Sequence, residues 1–143
     1  MGKINLKGVV VGGLLAGLVL NVVDYLLYGV ILADDMNAAM QALGKGPIGG
    51  SAIAWFVVID FLYGIALVWG YAAMRPRFGA GPGTAARAGL YVWAVAMFFR
   101  ALSDSQMGVM PMRLVVIGTI SALVLYPVAA VVGAWPYKEE MGM

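Results

Sequence analysis

Hydrophobic and polar positions do not alternate along this chain. They segregate into four long apolar runs with short polar stretches between them. The runs are Gly8 to Leu32, about Ile48 to Met74 broken only by Asp60, Ala88 to Leu102, and Leu114 to Trp135. About 20 apolar residues, each rising 1.5 Å, cover the ~30 Å hydrocarbon core of a bilayer. In that solvent a spanning segment must satisfy its own backbone groups, which a helix does. The pattern therefore predicts an all-α fold with a single membrane domain over residues 1–143. Its four transmembrane helices, about 8–32, 48–74, 88–102 and 114–135, form an up-down-up-down bundle. The connections are Asp34–Pro47, Arg75–Arg87 and Ser103–Arg113. The first predicts a short surface helix capped by Asp34 or Asp35, with Met36, Met40 and Leu43 along one face. The second, dense in proline and glycine, predicts an ordered turn. Pro127 inside the fourth run predicts a kink that frees the carbonyl of Leu123.

Composition agrees with lipid as the solvent. The chain is 63% hydrophobic and 11% charged, with a mean hydropathy of +0.93. A soluble domain is roughly 45–50% apolar and about 25% charged. The net charge of +2 and isoelectric point near 9.0 do not indicate nucleic acid. The basic residues sit at the ends of the runs, where they determine topology instead of forming a phosphate-binding face. Lys3, Lys7, Arg75, Arg77, Arg87 and Lys138 fall on the side of the N-terminus, and only Lys45 and Arg113 on the other. That asymmetry predicts both termini in the cytoplasm. Trp69, Tyr71, Trp135 and Tyr137 then fall at the inner interface as an aromatic belt. The first run is longer than a secretory h-region and no Ala-x-Ala site follows it, so it is expected to remain as an anchor.

The chain has neither cysteine nor histidine. Thiol redox chemistry, histidine-ligated haem and the usual general base near neutral pH are thereby excluded. What remains is a small set of polar groups inside the apolar runs. Gly8, Gly12, Gly13 and Gly17 give overlapping small-xxx-small spacings, which pack the first helix against a neighbour of this chain or against a second copy. Asp24 and Asp60 interrupt the first and second runs. Arg100 lies on the third run, and twelve residues separate it from Arg87. If Arg87 marks the inner surface, those residues place Arg100 inside the bilayer. A lone charge there costs roughly 2.5–3.5 kcal/mol, so pairing with Asp24 or Asp60 is expected. Asn21, Asp24, Tyr25 and Tyr28 share a helical face, and Tyr63 lies one turn from Asp60. The candidate buried polar cluster is thus Asn21, Asp24, Tyr28, Asp60, Tyr63, Arg100 and Asp104. It reads either as an ion-pair network that fixes helix register or as a functional site. Arg100 has a simpler alternative in Asp104, four residues away at the outer interface. Met107, Met110 and Met112 could offer thioethers to Cu(I), or serve as adaptable apolar residues at the interface.

Several stretches resemble small uncharacterised bacterial four-helix integral membrane proteins. They are Gly12-Gly-Leu-Leu-Ala-Gly-Leu-Val-Leu-Asn-Val-Val-Asp-Tyr25, Pro47-Ile-Gly-Gly-Ser-Ala-Ile-Ala54, Arg75-Pro-Arg-Phe-Gly79 and Gly133-Ala-Trp-Pro-Tyr-Lys-Glu139. The resemblance implies a multi-pass protein of the bacterial cytoplasmic (inner) membrane and brings no activity, so the cofactor stays unknown. Three functions fit these residues. The first is a non-catalytic structural or accessory subunit, partnered by the lipid bilayer, by itself or by other membrane subunits. The second is a small proton- or cation-coupled transporter using Asp24 or Asp60. The third is a membrane cofactor binder, for a quinone or pigment.

Overall fold

The computed structural model describes residues 2–140, and among them four helices are long and apolar enough to cross a membrane. They are α1 (Leu6–Ile31), α3 (Gly50–Phe78), α4 (Pro82–Met107) and α5 (Met112–Ala134). A shorter helix, α2 (Ala33–Ala42), follows α1 directly. Asp34 and Asp35 sit in the first turn of α2, where carboxylates complement the helix dipole, and the capping position itself is Leu32. Two of the long helices contain π-helical stretches, Tyr25–Ile31 ending α1 and Ala94–Phe98 inside α4.

Two helices overrun the boundaries expected from the apolar runs. α3 continues past Met74 through Pro76 to Phe78, and Gly79 closes it with a positive φ of 82° and an N–H bond to the Arg75 carbonyl. A proline in the last turn removes a single backbone bond there, which a terminal turn tolerates. α4 begins at Pro82, a residue pre-set for a helix start, and runs on past Ser103. Charged side chains had marked both ends in the sequence, yet the backbone ladder passes through them.

α1, α3 and α5 pack backbone against backbone. A Cβ on Gly64 would overlap the carbonyl of Gly13 and the nitrogen of Gly17, and one on Gly12 would overlap the carbonyl of Gly133. Without side chains at these places the helices approach closely, and van der Waals contact supplies the attraction in an apolar solvent. The contacts also show direction. Gly12 meets Val68 while Gly17 meets Phe61, so α1 and α3 run oppositely. Gly89 of α4 packs on Pro127 of α5 in the same meshed fashion. The core between them holds Leu20, Leu67, Val68, Ala122, Leu125 and Ala129.

The chain's two ends meet at one end of the bundle. The Asn5 backbone N–H donates to the Tyr137 hydroxyl at 3.1 Å, and its side-chain amide donates to the Lys138 carbonyl at 3.0 Å. Tyr71 and Tyr137 pack edge-on at 5.9 Å, with the Arg75 guanidinium 5.7 and 5.4 Å from their ring centres and 3.6 Å from Glu139. The expected aromatic belt therefore divides. Trp69 and Trp135 are exposed, whereas Tyr71 and Tyr137 are buried in this clasp. Sequence position gives depth along a helix but not direction, and two residues of helix turn Trp69 and Tyr71 to nearly opposite faces.

Candidate functional site

Where α1 ends, the bundle opens. A cavity of about 580 Å³ lies between the last turns of α1, the α2 segment and the first turns of α3. Asn21, Asp24, Tyr25 and Tyr28 line it from α1, Met36 and Asn37 from α2, and Phe56, Val57 and Asp60 from α3. The glycine stripe places these walls. Gly17 lets α1 touch the backbone of Phe61 and Asp60, and beyond that contact the helices are held by Asn21. Its amide donates to the Gly17 carbonyl at 3.0 Å and to the Val57 carbonyl of α3 at 3.3 Å.

That bond also sets the register of the two acids. Asp24 lies three residues past Asn21, and Asp60 three residues past Val57 on the antiparallel helix. Six rises of 1.5 Å separate them along the bundle axis, roughly 9 Å. They are not at one depth, but both face the same cavity and both are half-buried. Among the described residues the ion pairs are Arg75–Glu139, Arg100–Asp104 and Arg113–Asp35, so neither Asp24 nor Asp60 has a cationic partner. Two carboxyl groups without a counter-charge thus sit in walls made otherwise of apolar, aromatic and asparagine side chains.

The expected partner of these acids is elsewhere. Arg100 donates from Nε to both Asp104 oxygens, at 2.9 and 3.0 Å, and its side chain is 73% exposed. The twelve-residue spacing from Arg87 misled because α4 starts at Pro82, which puts Arg100 about 27 Å along the helix and near its far end. Arg87 itself lies over the Phe78 ring at 5.3 Å. The alternative pairing within α4 is the one the structure holds.

Arg100 and Asp104 line a second, smaller cavity of about 180 Å³, together with Met97, Met110 and Gly118. Trp93 ties α4 to α5 by donating from Nε1 to the carbonyl of Thr119, a residue that lines this cavity, at 2.9 Å. Tyr28 and Met36 line both cavities. The candidate cluster thus divides into two groups that share Tyr28. Tyr63 belongs to neither, because its ring packs against Tyr126 at 5.8 Å.

The other candidates fall into place beside these. Gly12, Gly13 and Gly17 are buried against α3 and α5 of the same chain, and Gly8 lies against Asn5 and Tyr137. Of the methionines Met107, Met110 and Met112, Met110 lines the smaller cavity, and Met107 and Met112 are exposed. Sequence reasoning missed the α2 wall and the aromatic Phe56. The first turns of α3 are apolar on every side, so periodicity could not separate a cavity wall from a lipid-facing one. Met36 on the predicted surface helix was the available signal. No family model, characterised protein or solved structure matches the chain.

Proposed function

We propose that this chain is a small proton-coupled transporter of amphipathic cations, set as an up-down-up-down bundle in a bacterial cytoplasmic membrane with both termini inside. The observation that carries this reading is the pair Asp24 and Asp60 in one large cavity without a basic partner among the described residues. Its volume of about 580 Å³ falls within the roughly 300–1,000 Å³ of drug-sized ligand sites. Tyr25 and Phe56 supply ring faces that attract a cation. Buried acids inside membrane helices are costly and commonly mark ion or proton pathways. A cation that enters displaces a proton from the acid pair, and the proton's return expels the cation.

The accessory-subunit reading would draw on exposed apolar residues such as Ile53, Trp55 and Leu62. Lipid covers such residues equally well, so they do not favour a protein partner. For the cofactor reading, the cavity offers ring faces but no residue that singles out a quinone or pigment.

Tetraphenylphosphonium binding to the detergent-purified protein, measured by equilibrium dialysis, tests the proposal. The expected result is saturable binding that weakens about tenfold in Asp24→Asn and in Asp60→Asn, equivalent to ~1.4 kcal/mol. Protons compete for the same carboxylates, so the apparent affinity should fall as pH is lowered. Binding that ignores both substitutions and pH, or no saturable binding at all, defeats the reading.

A further inference from the structure

A cation-for-proton exchanger must let the proton leave while the cation is still held. The two cavities differ in the ways such a division needs. The larger holds the two acids and has room for a drug-sized cation. The smaller, at about 180 Å³, has room for a few waters but not for such a ligand. Two side chains line both, Tyr28 and Met36. A thioether carries no proton, so Tyr28 alone can conduct one between them.

The surroundings of Tyr28 fit that role. It lies in the π-helical end of α1, and π turns in helices recur at functional sites. Its hydroxyl occupies the space beside Gly118 of α5, so closely that a Cβ at Gly118 would overlap the oxygen. The titratable groups around this point are Asp24 and Tyr25 on α1, Asp60 and Tyr63 on α3, Arg100 and Asp104 on α4, and Tyr126 on α5. Of these, Tyr63 and Tyr126 pack on each other, and Asp104 is held by Arg100. On the larger cavity's side a carboxyl gives up its proton far more readily than the Tyr25 phenol, so Asp24 and Asp60 are the proton donors.

Building on the transporter reading, we propose that the Tyr28 hydroxyl is the proton exit of the acid-lined cavity. When a cation binds, the displaced proton passes from a carboxyl oxygen to the Tyr28 oxygen. The phenol's own proton passes to water in the smaller cavity. Tyr28 ends as it began, and the net step is one O–H bond broken at the carboxyl and one formed at water.

Rapid mixing of the purified protein with tetraphenylphosphonium in weak buffer, followed with a pH-indicator dye, reads proton release. Equilibrium dialysis reads binding in parallel. Tyr28→Phe keeps the ring and removes the hydroxyl, so it should bind within threefold of wild type and release its proton at least tenfold more slowly. Gly118→Ala should likewise slow release with little change in binding, because it displaces the phenol without touching either acid. Wild-type release rates in both variants overturn the relay, and so does a more than threefold loss of binding in Tyr28→Phe, which would make the hydroxyl part of the cation site. Those failures leave wild-type binding intact, whereas a wild type that binds no cation overturns the transporter reading and the relay together.

Discussion

Arg100 illustrates what a side chain's sequence position does and does not determine. Its distance from Arg87 was readable, but the distance to the true start of α4 was not, and that decides whether the guanidinium meets Asp24 or Asp104. A pair within one helix turn is worth little, about 0.3–0.5 kcal/mol, and the Arg100 side chain here is exposed. Arg100→Leu should therefore leave thermal stability in detergent nearly unchanged. A double-mutant cycle should give a small coupling to Asp104→Asn and none to Asp24→Asn or Asp60→Asn. A loss of several kcal/mol in Arg100→Leu, rescued by removing either buried acid, would instead reveal an interhelical pair. The acids themselves were legible, since charge in an apolar run stands out in any reading. Their lack of a partner was not, because it depends on which way three helices face.

At the level of elements, glycine spacing told more than hydrophobicity did. The long helices are apolar nearly all round, so no apolar stripe marks the face that packs. The glycines mark it instead, because only they let α1 meet α3 and α5 at backbone distance. A Cβ on Gly17 would lie 2.6 Å from the Phe61 ring and 2.7 Å from its Cα. A ring can swing aside, but the backbone cannot without spreading the helices. Gly17→Ala should therefore cost about 1–3 kcal/mol through overpacking, read as a lowered melting temperature in detergent. Gly70→Ala is the control, since its added carbon would meet Ala88 at an ordinary 3.7 Å. It should be neutral, or stabilising by up to ~1 kcal/mol from reduced backbone freedom in the unfolded chain. Equal losses at both positions would show that helix–helix distance is not what Gly17 protects. The π-helical stretches were invisible beforehand, because neither Tyr25–Ile31 nor Ala94–Phe98 carries a proline or a polar insertion to signal a widened turn.

For the molecule as a whole, the four apolar runs made the helix count legible, while the cavity emerged only from how the helices diverge beyond Gly17. Orientation in the bilayer rests on different physics, the asymmetry of lysine and arginine between the two sets of connections. The fold ties the chain's ends together through Asn5, Tyr137 and Lys138, with Arg75 and Glu139 alongside, which gathers five basic residues into one region. Lys3, Arg75 and Lys138 belong to the clasp itself, and Arg77 and Arg87 flank the turn that Tyr71 holds through the Gly81 N–H at 3.2 Å. Such a concentration of positive charge supports the proposed cytoplasmic placement of this end, against only Lys45 and Arg113 at the opposite end. The chain has no cysteine of its own, so single substitutions report cleanly. Cysteines at Lys45 and Gly108 should react with an impermeant maleimide added to intact cells. Cysteines at Gly81 and Lys138 should react only after the membrane is opened. The reverse pattern would turn the bundle over and open the Arg100 end to the cytoplasm. The proton leaving past Tyr28 would then emerge inside the cell instead of outside it. Labelling of Gly81 and Lys138 on opposite sides would break the clasp that joins them.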